Sequence, residues 1–185
     1  AVDEGRMADA TSAVAAVWRQ DDLGPAMEQA LLREFGHLLT RADHKYRADR
    51  LLYDEKNATA LRAAALAGAD VAKLAKARAL VNDEATAAAD AAIAAVPKEL
   101  QADPGLVFAK AQKLRRAQKF AEAAAMIETA PREAAALIDG DAWWTERRIV
   151  ARKLLDSGDA ATAYRLAAGH AAQGSRWKVE AEFHA

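Results

Sequence analysis

Apolar residues recur along this chain at helical spacing, and no stretch alternates as a strand would. The pattern is sharpest between Asp141 and His170. Trp143, Val150 and Leu154 fall on one helical stripe, with Trp144, Ala151 and Leu155 beside them. Ser157-Gly158-Asp159 interrupts the stripe as a tight turn, after which Ala163, Leu166, Ala167 and His170 resume it. Two amphipathic helices joined this way, with aromatic residues early and small residues late, form the unit of an α-solenoid.

The same grammar runs through most of the sequence. Residues 1–22 are Ala-rich and weakly patterned, and read as a mobile lead-in or one loose helix ending near Trp18. Gly24-Pro25 opens a helix over 26–39, with Met27, Leu31, Phe35 and Leu38 on one face. Thr40 is a good N-cap for a helix over 41–56. Helices follow from Asn57 to Gly68, from Asp70 to Leu80, and over 84–95 up to Pro97. Asp103-Pro104 pairs a cap with Pro at the first helical position. Val107, Ala111, Leu114 and Ala117 then face Phe120, Ala123, Ala124 and Ile127 across a turn at Gln118-Lys119, and Pro131 closes the pair. First helices start near 41, 70, 104, 141 and 175, a spacing of roughly 29–37 residues that lies near the tetratricopeptide period. The prediction is an all-α fold: a superhelix of antiparallel helix pairs, tetratricopeptide-like, over 23–185. Trp177, Ala181 and His184 begin one more stripe with no Gly, Pro or polar capping repeat before Ala185, so the array is expected to be truncated at its C-terminal end.

Composition narrows the function classes. The 185 residues carry 26 basic and 27 acidic side chains, a balance that argues against a nucleic-acid partner. Ala supplies much of the apolar content, favouring helix and close helix approach. Cysteine is absent, which excludes disulfides and thiolate metal sites. No apolar run approaches the roughly 20 residues that span a bilayer. The first residues carry no signal-peptide pattern.

Candidate chemistry is sparse. Trp143 and Trp144 offer faces on which a sugar ring could stack, but their place on the Val150–Leu154 stripe favours helix packing. Arg147 lies midway along that stripe with Arg148 beside it. A guanidinium there must snorkel, stack on Trp or pair with a carboxylate. Glu146 points elsewhere on the helix, so the expected partner is Asp141 or an acid of a neighbouring pair. In helix 41–56, Asp43–Arg47 and Arg50–Asp54 have i, i+4 spacing and read as a solvated, salt-paired face. The four histidines share no metal-binding spacing, no serine sits in a nucleophile elbow, and no phosphate loop or dinucleotide fingerprint is present. No catalytic, cofactor-binding or metal-ligating residue is assigned.

The run Thr40-Arg-Ala-Asp-His-Lys-Tyr-Arg-Ala-Asp-Arg-Leu-Leu-Tyr-Asp resembles the start of the superhelical region of soluble lytic murein transglycosylases. Trp143-Trp-Thr-Glu-Arg-Arg-Ile-Val-Ala-Arg-Lys-Leu-Leu-Asp-Ser-Gly-Asp, with Ala163-Tyr164 and His170, resembles a later part of that region. The resemblance implies a periplasmic enzyme that cleaves peptidoglycan between N-acetylmuramic acid and N-acetylglucosamine, leaving 1,6-anhydromuramoyl ends. It also implies a lysozyme-like catalytic domain following the superhelix. The family's catalytic Glu-Ser pair and its Gly-Leu-Met-Gln segment are absent here, since Gly105-Leu106 continues as Val107-Phe108. The expectation is therefore a non-catalytic scaffold whose partners are glycan strands, held weakly, and the parent's own catalytic domain. Arg147, Arg148, Trp143 and Trp144 are its candidate glycan or inter-repeat contacts. A free-standing tetratricopeptide-like module for protein partners is the alternative.

Overall fold

The computed structural model describes the backbone of residues 2–20 and 22–184, and the side chains of 6–20 and 22–182. The fold is all-α, with no strand among the described residues. The chain divides into two compact units, residues 1–75 and 76–185, and the division falls within one helix.

The N-terminal unit holds α1 (Val2–Gln20), α2 (Pro25–Phe35), α3 (Arg41–Tyr53), α4 (Asn57–Ala67) and the start of α5 (Ala69–Asn82). Thr40 and Asp43 form a reciprocal capping box: the Thr40 hydroxyl accepts from the Asp43 amide at 3.3 Å, and the Asp43 carboxylate accepts from the Thr40 amide at 2.7 Å. The helix therefore starts where its sequence expects. Gly68, at φ 113°, ends α4 in a conformation that disfavours any side chain. α3 buries Ala48, Leu51 and Leu52, while α4 buries Ala60, Ala63, Ala64 and Ala67, and the two pack as a pair. Methyl groups at four successive interface positions let the helix backbones approach closely.

The lead-in takes its helical alternative, a 19-residue helix that ends just past Trp18, which is fully buried. Two other local expectations change in this unit. The apolar stripe of α2 is not a core face, because Met27 is 60% and Phe35 47% exposed, and the chain tightens into a 3₁₀ turn at Gly36–Leu38. The residue that α2 does bury is Glu28, whose carboxylate meets Arg47 at 3.4 Å and Arg62 at 3.2 Å. Nor is the charged face of α3 solvated. Asp43, His44, Arg47 and Asp49 are all buried, since α1 packs across α3. Arg50–Asp54 forms as expected at 3.2 Å, but Asp43 pairs with Arg19 of α1 rather than with Arg47. Arg47 instead lies 4.5 Å from the Trp18 ring and donates to the Trp18 carbonyl at 2.7 Å. Burial lowers the pKa of Arg47, and Glu28 opposes that shift.

The C-terminal unit holds the rest of α5, α6 (Thr86–Ala94), α7 (Pro104–Arg116), α8 (Phe120–Glu128), α9 (Ala134–Leu137), α10 (Gly140–Asp156), α11 (Ala160–Ala168) and α12 (Ser175–His184). Aspartates start three of these helices. Asp103 accepts from the Gly105 amide, Asp139 from Ala142 and Asp159 from Thr162. α7 pairs with α8 and α10 with α11, and α10 also touches both α7 and α8. Val107, Ala111, Ala123, Ala124 and Ile127 are buried as their spacing predicts, whereas Ala117 is exposed. Trp177 is half-buried and Ala181 fully buried on α12; the side chain of His184 lies outside the described residues.

Candidate functional site

The candidate contacts named from sequence all sit on the first two turns of α10, and the structure gives each a different task. Trp143 is fully buried and meets Phe108 of α7 edge-on, with ring centroids 5.2 Å apart. Trp144 is fully buried one position on and meets His170 edge-on at 5.9 Å. Neither indole presents a face to solvent, so both are packing residues between helices. Arg148 is half-buried. Its Nη1 donates to both carboxylate oxygens of Glu180 on α12, at 3.0 and 3.1 Å, and its guanidinium lies 5.0 Å from the Trp177 ring. Arg148 therefore ties α10 to α12.

Arg147 behaves differently from its expectation. The residue is 2% exposed, yet among the described residues no carboxylate forms an ion pair with it, and its Nε is buried without a hydrogen-bond partner. The expected partner, Asp141, is engaged elsewhere. Its carboxylate accepts the backbone amides of Gln173 at 2.8 Å and Gly174 at 3.0 Å, holding the corner between α11 and α12. Burial pushes the Arg147 pKa down to about 10; the like charge of Arg132 lowers it further and Glu128 opposes the shift.

The ion pair that locks consecutive helix pairs together comes from a neighbour that the sequence reading set aside. Glu146 is buried and accepts a two-point hydrogen bond from Arg115 of α7, Nη2 at 3.0 Å and Nε closer still. A helical wheel places Glu146 off the apolar stripe, but α7 covers that flank too, so the buried arc of α10 is wider than one stripe.

Two concavities flank these ties. A groove of about 150 Å³ runs between α10 and α11, with Arg148, Arg152, Leu155 and Tyr164 on its walls. Leu155 and Tyr164 are 59% and 60% exposed, so Tyr164 is the ring that this pair offers to solvent. A larger cleft of about 380 Å³ lies by α6 and α7, its apolar floor including Val81 and Leu114. Its cations are occupied. Lys113 pairs with Asp90, while Arg116 donates to the Val81 carbonyl and pairs with Glu84.

No carboxylate is poised for acid–base chemistry among the buried ones described. Glu28, Asp43, Asp49 and Glu146 all hold cations. Burial raises the Asp43 pKa, but hydrogen bonds from the Thr40 hydroxyl and amide, with Arg19, outweigh it and hold the carboxyl below the ordinary range. No group of three potential metal ligands occurs among the described residues. No helix of the described residues is long and apolar enough to cross a membrane. No protein-family model, curated protein or solved structure matches the chain.

Proposed function

We propose that this chain is a non-catalytic helical scaffold, and that the enzyme it serves is a periplasmic lytic transglycosylase of peptidoglycan. One observation carries the first part: every buried carboxylate described holds a cation, and Glu28, Asp43 and Glu146 do so across helices. A lytic or hydrolytic glycosidase needs a carboxylic acid free to protonate the leaving oxygen, in surroundings that raise its pKa. The second part rests on the resemblance of the runs at 40–54 and 143–170. The residues of those runs do structural work here: the Thr40–Asp43 cap, the buried Arg47, the Trp143 and Trp144 packing, and the Glu146 tie.

On this reading glycan contact is weak and falls to the solvent-facing groove of α10 and α11. Tyr164 supplies the stacking ring, with Leu155 exposed beside it on the same groove. Co-sedimentation of the purified chain with isolated murein sacculi tests this, with Tyr164→Ala as the comparison. Binding that weakens in the variant supports the glycan role; sacculi that pellet without the protein refute it. The chain alone is expected to release no anhydromuropeptides from sacculi, and any such release would overturn the non-catalytic assignment. Reading the gene beyond Ala185 tests the transglycosylase assignment: a lysozyme-like segment with a Glu-Ser pair supports it, and an unrelated segment or a stop codon refutes it.

A further inference from the structure

Arg147, which pairs with no carboxylate among the described residues, sits in a junction with an excess of positive charge. α10 carries it into the angle between α8 and α11, where Gly169 follows the last turn of α11. The Arg147 Nη1 lies 3.1 Å, and the Arg132 Nε 3.8 Å, from the point where a Cβ on Gly169 would stand. Two guanidinium groups thus converge on one glycine. Arg132 is exposed, in the segment between α8 and α9, and no carboxylate pairs with it among the described residues. The nearby carboxylate that acts on Arg147 is Glu128, and it is engaged by Arg165 at 2.9 Å. Arg147 and Arg165 therefore share one acid, and Arg132 adds a further positive charge beside Arg147.

Two like charges held side by side, one of them buried, are unfavourable unless something of opposite charge joins them. A guanidinium is the standard receptor for an oxyanion, because its N–H groups give charged hydrogen bonds to the oxygens of a carboxylate or phosphate. Gly169 keeps the backbone thin at the point of convergence, where any side chain would crowd both Arg147 and the Arg165 carbonyl oxygen, 3.2 Å from that point. We propose that Arg147 and Arg132, converging over Gly169, form a binding site for one oxyanion, a carboxylate or a phosphate group. Arg147 supplies the fixed, desolvated half of the site and Arg132 the mobile, solvent-facing half. The site is separate from the α10–α11 groove and does not depend on the glycan reading.

The test is a titration of the chain with sodium phosphate and, separately, sodium acetate, at ionic strength held constant with sodium chloride. Isothermal titration calorimetry gives affinity and a melting curve gives stability. Arg132→Gln is the informative variant, because Arg132 is exposed and tied to no described carboxylate. Arg33→Gln, an exposed arginine of the other unit, controls for net charge. The wild type and Arg33→Gln are expected to bind at least one of the two anions saturably, and Arg132→Gln roughly ten-fold more weakly, the effect of one charged hydrogen bond. Saturation by phosphate alone marks a phosphoryl ligand, and saturation by acetate a carboxylate; either supports the site. In chloride alone, Arg132→Gln is expected to melt at or above the wild-type temperature, since a like charge facing Arg147 is gone. No saturable binding of either anion, equal affinity in Arg132→Gln, or a lower melting temperature of that variant in chloride would overturn the proposal.

Discussion

Gly140→Ala is the smallest change that should do the largest damage. Gly140 is buried at the first position of α10, and a Cβ built on it stands 1.9 Å from the Ala171 carbonyl oxygen. A carbon–oxygen contact needs about 3.3 Å, so one backbone segment must move by more than an ångström. That oxygen belongs to the corner held by Asp141, whose bonds to the Gln173 and Gly174 amides would lengthen with it. Overpacking alone costs about 1–3 kcal/mol, and a weakened charged hydrogen bond adds on the order of 1 kcal/mol. The helix propensity gained by replacing Gly returns less than about 1 kcal/mol, because the position is terminal. The expected net loss is about 3 kcal/mol, or about 10 °C in Tm for a unit of this size. Urea denaturation followed by far-UV circular dichroism measures it. Gly24→Ala is the control: its φ is −64° and nothing lies within 4 Å of the added carbon, so it should stay within about 0.5 kcal/mol of wild type. A Gly140→Ala protein that unfolds within about 1 kcal/mol of the parent would refute the argument.

Three further outcomes follow from the same geometry. Thr40→Ala removes half of the capping box and should cost about 1 kcal/mol, read as a lower urea midpoint with an unchanged m-value. A double-mutant cycle on Arg115→Ala and Glu146→Ala should give a coupling energy of about 1–3 kcal/mol, because the pair is two-pointed and mostly buried; a coupling near zero would deny its role as the lock between helix pairs. Burial lowers the His44 pKa below its ordinary 6.5, against the opposing pull of Asp43, so the folded chain prefers the neutral ring. That preference is fully present above the unfolded-state pKa and is lost as pH falls below 6.5 toward the folded value, so a plot of stability against pH should descend there and flatten in His44→Gln.

Much of the architecture is legible from periodicity. The pair from Asp103 to Pro131 and the pair from Gly140 to Ala168 follow from spacing, caps and turn residues, because local chemistry and burial agree there. The α2 stripe misleads for a physical reason. Met27 and Phe35 have the right spacing, but a helix of 11 residues meets the rest of its unit through Glu28, and the partner that decides this is Arg47, which is remote in sequence. The face of α3 misleads in the same way: i, i+4 charges look solvated until α1 lies across them. At the candidate site, sequence locates the important helix but not the roles on it. Position on a wheel says that Arg147 is buried; it cannot say that Asp141 turns toward two backbone amides, or that Arg132 arrives beside Gly169 from a segment without periodic signal.

The Asp141 clasp also constrains how this chain can change over generations. The corner at residues 169–174 is gauged by a carboxylate and a glycine at the start of a helix some thirty positions earlier, so its length cannot drift: one inserted residue would shift both amides out of reach. The turn at Ser157-Gly158-Asp159 carries no such gauge, because nothing crowds Gly158. Homologues should therefore vary in length at the second bend and keep the first invariant.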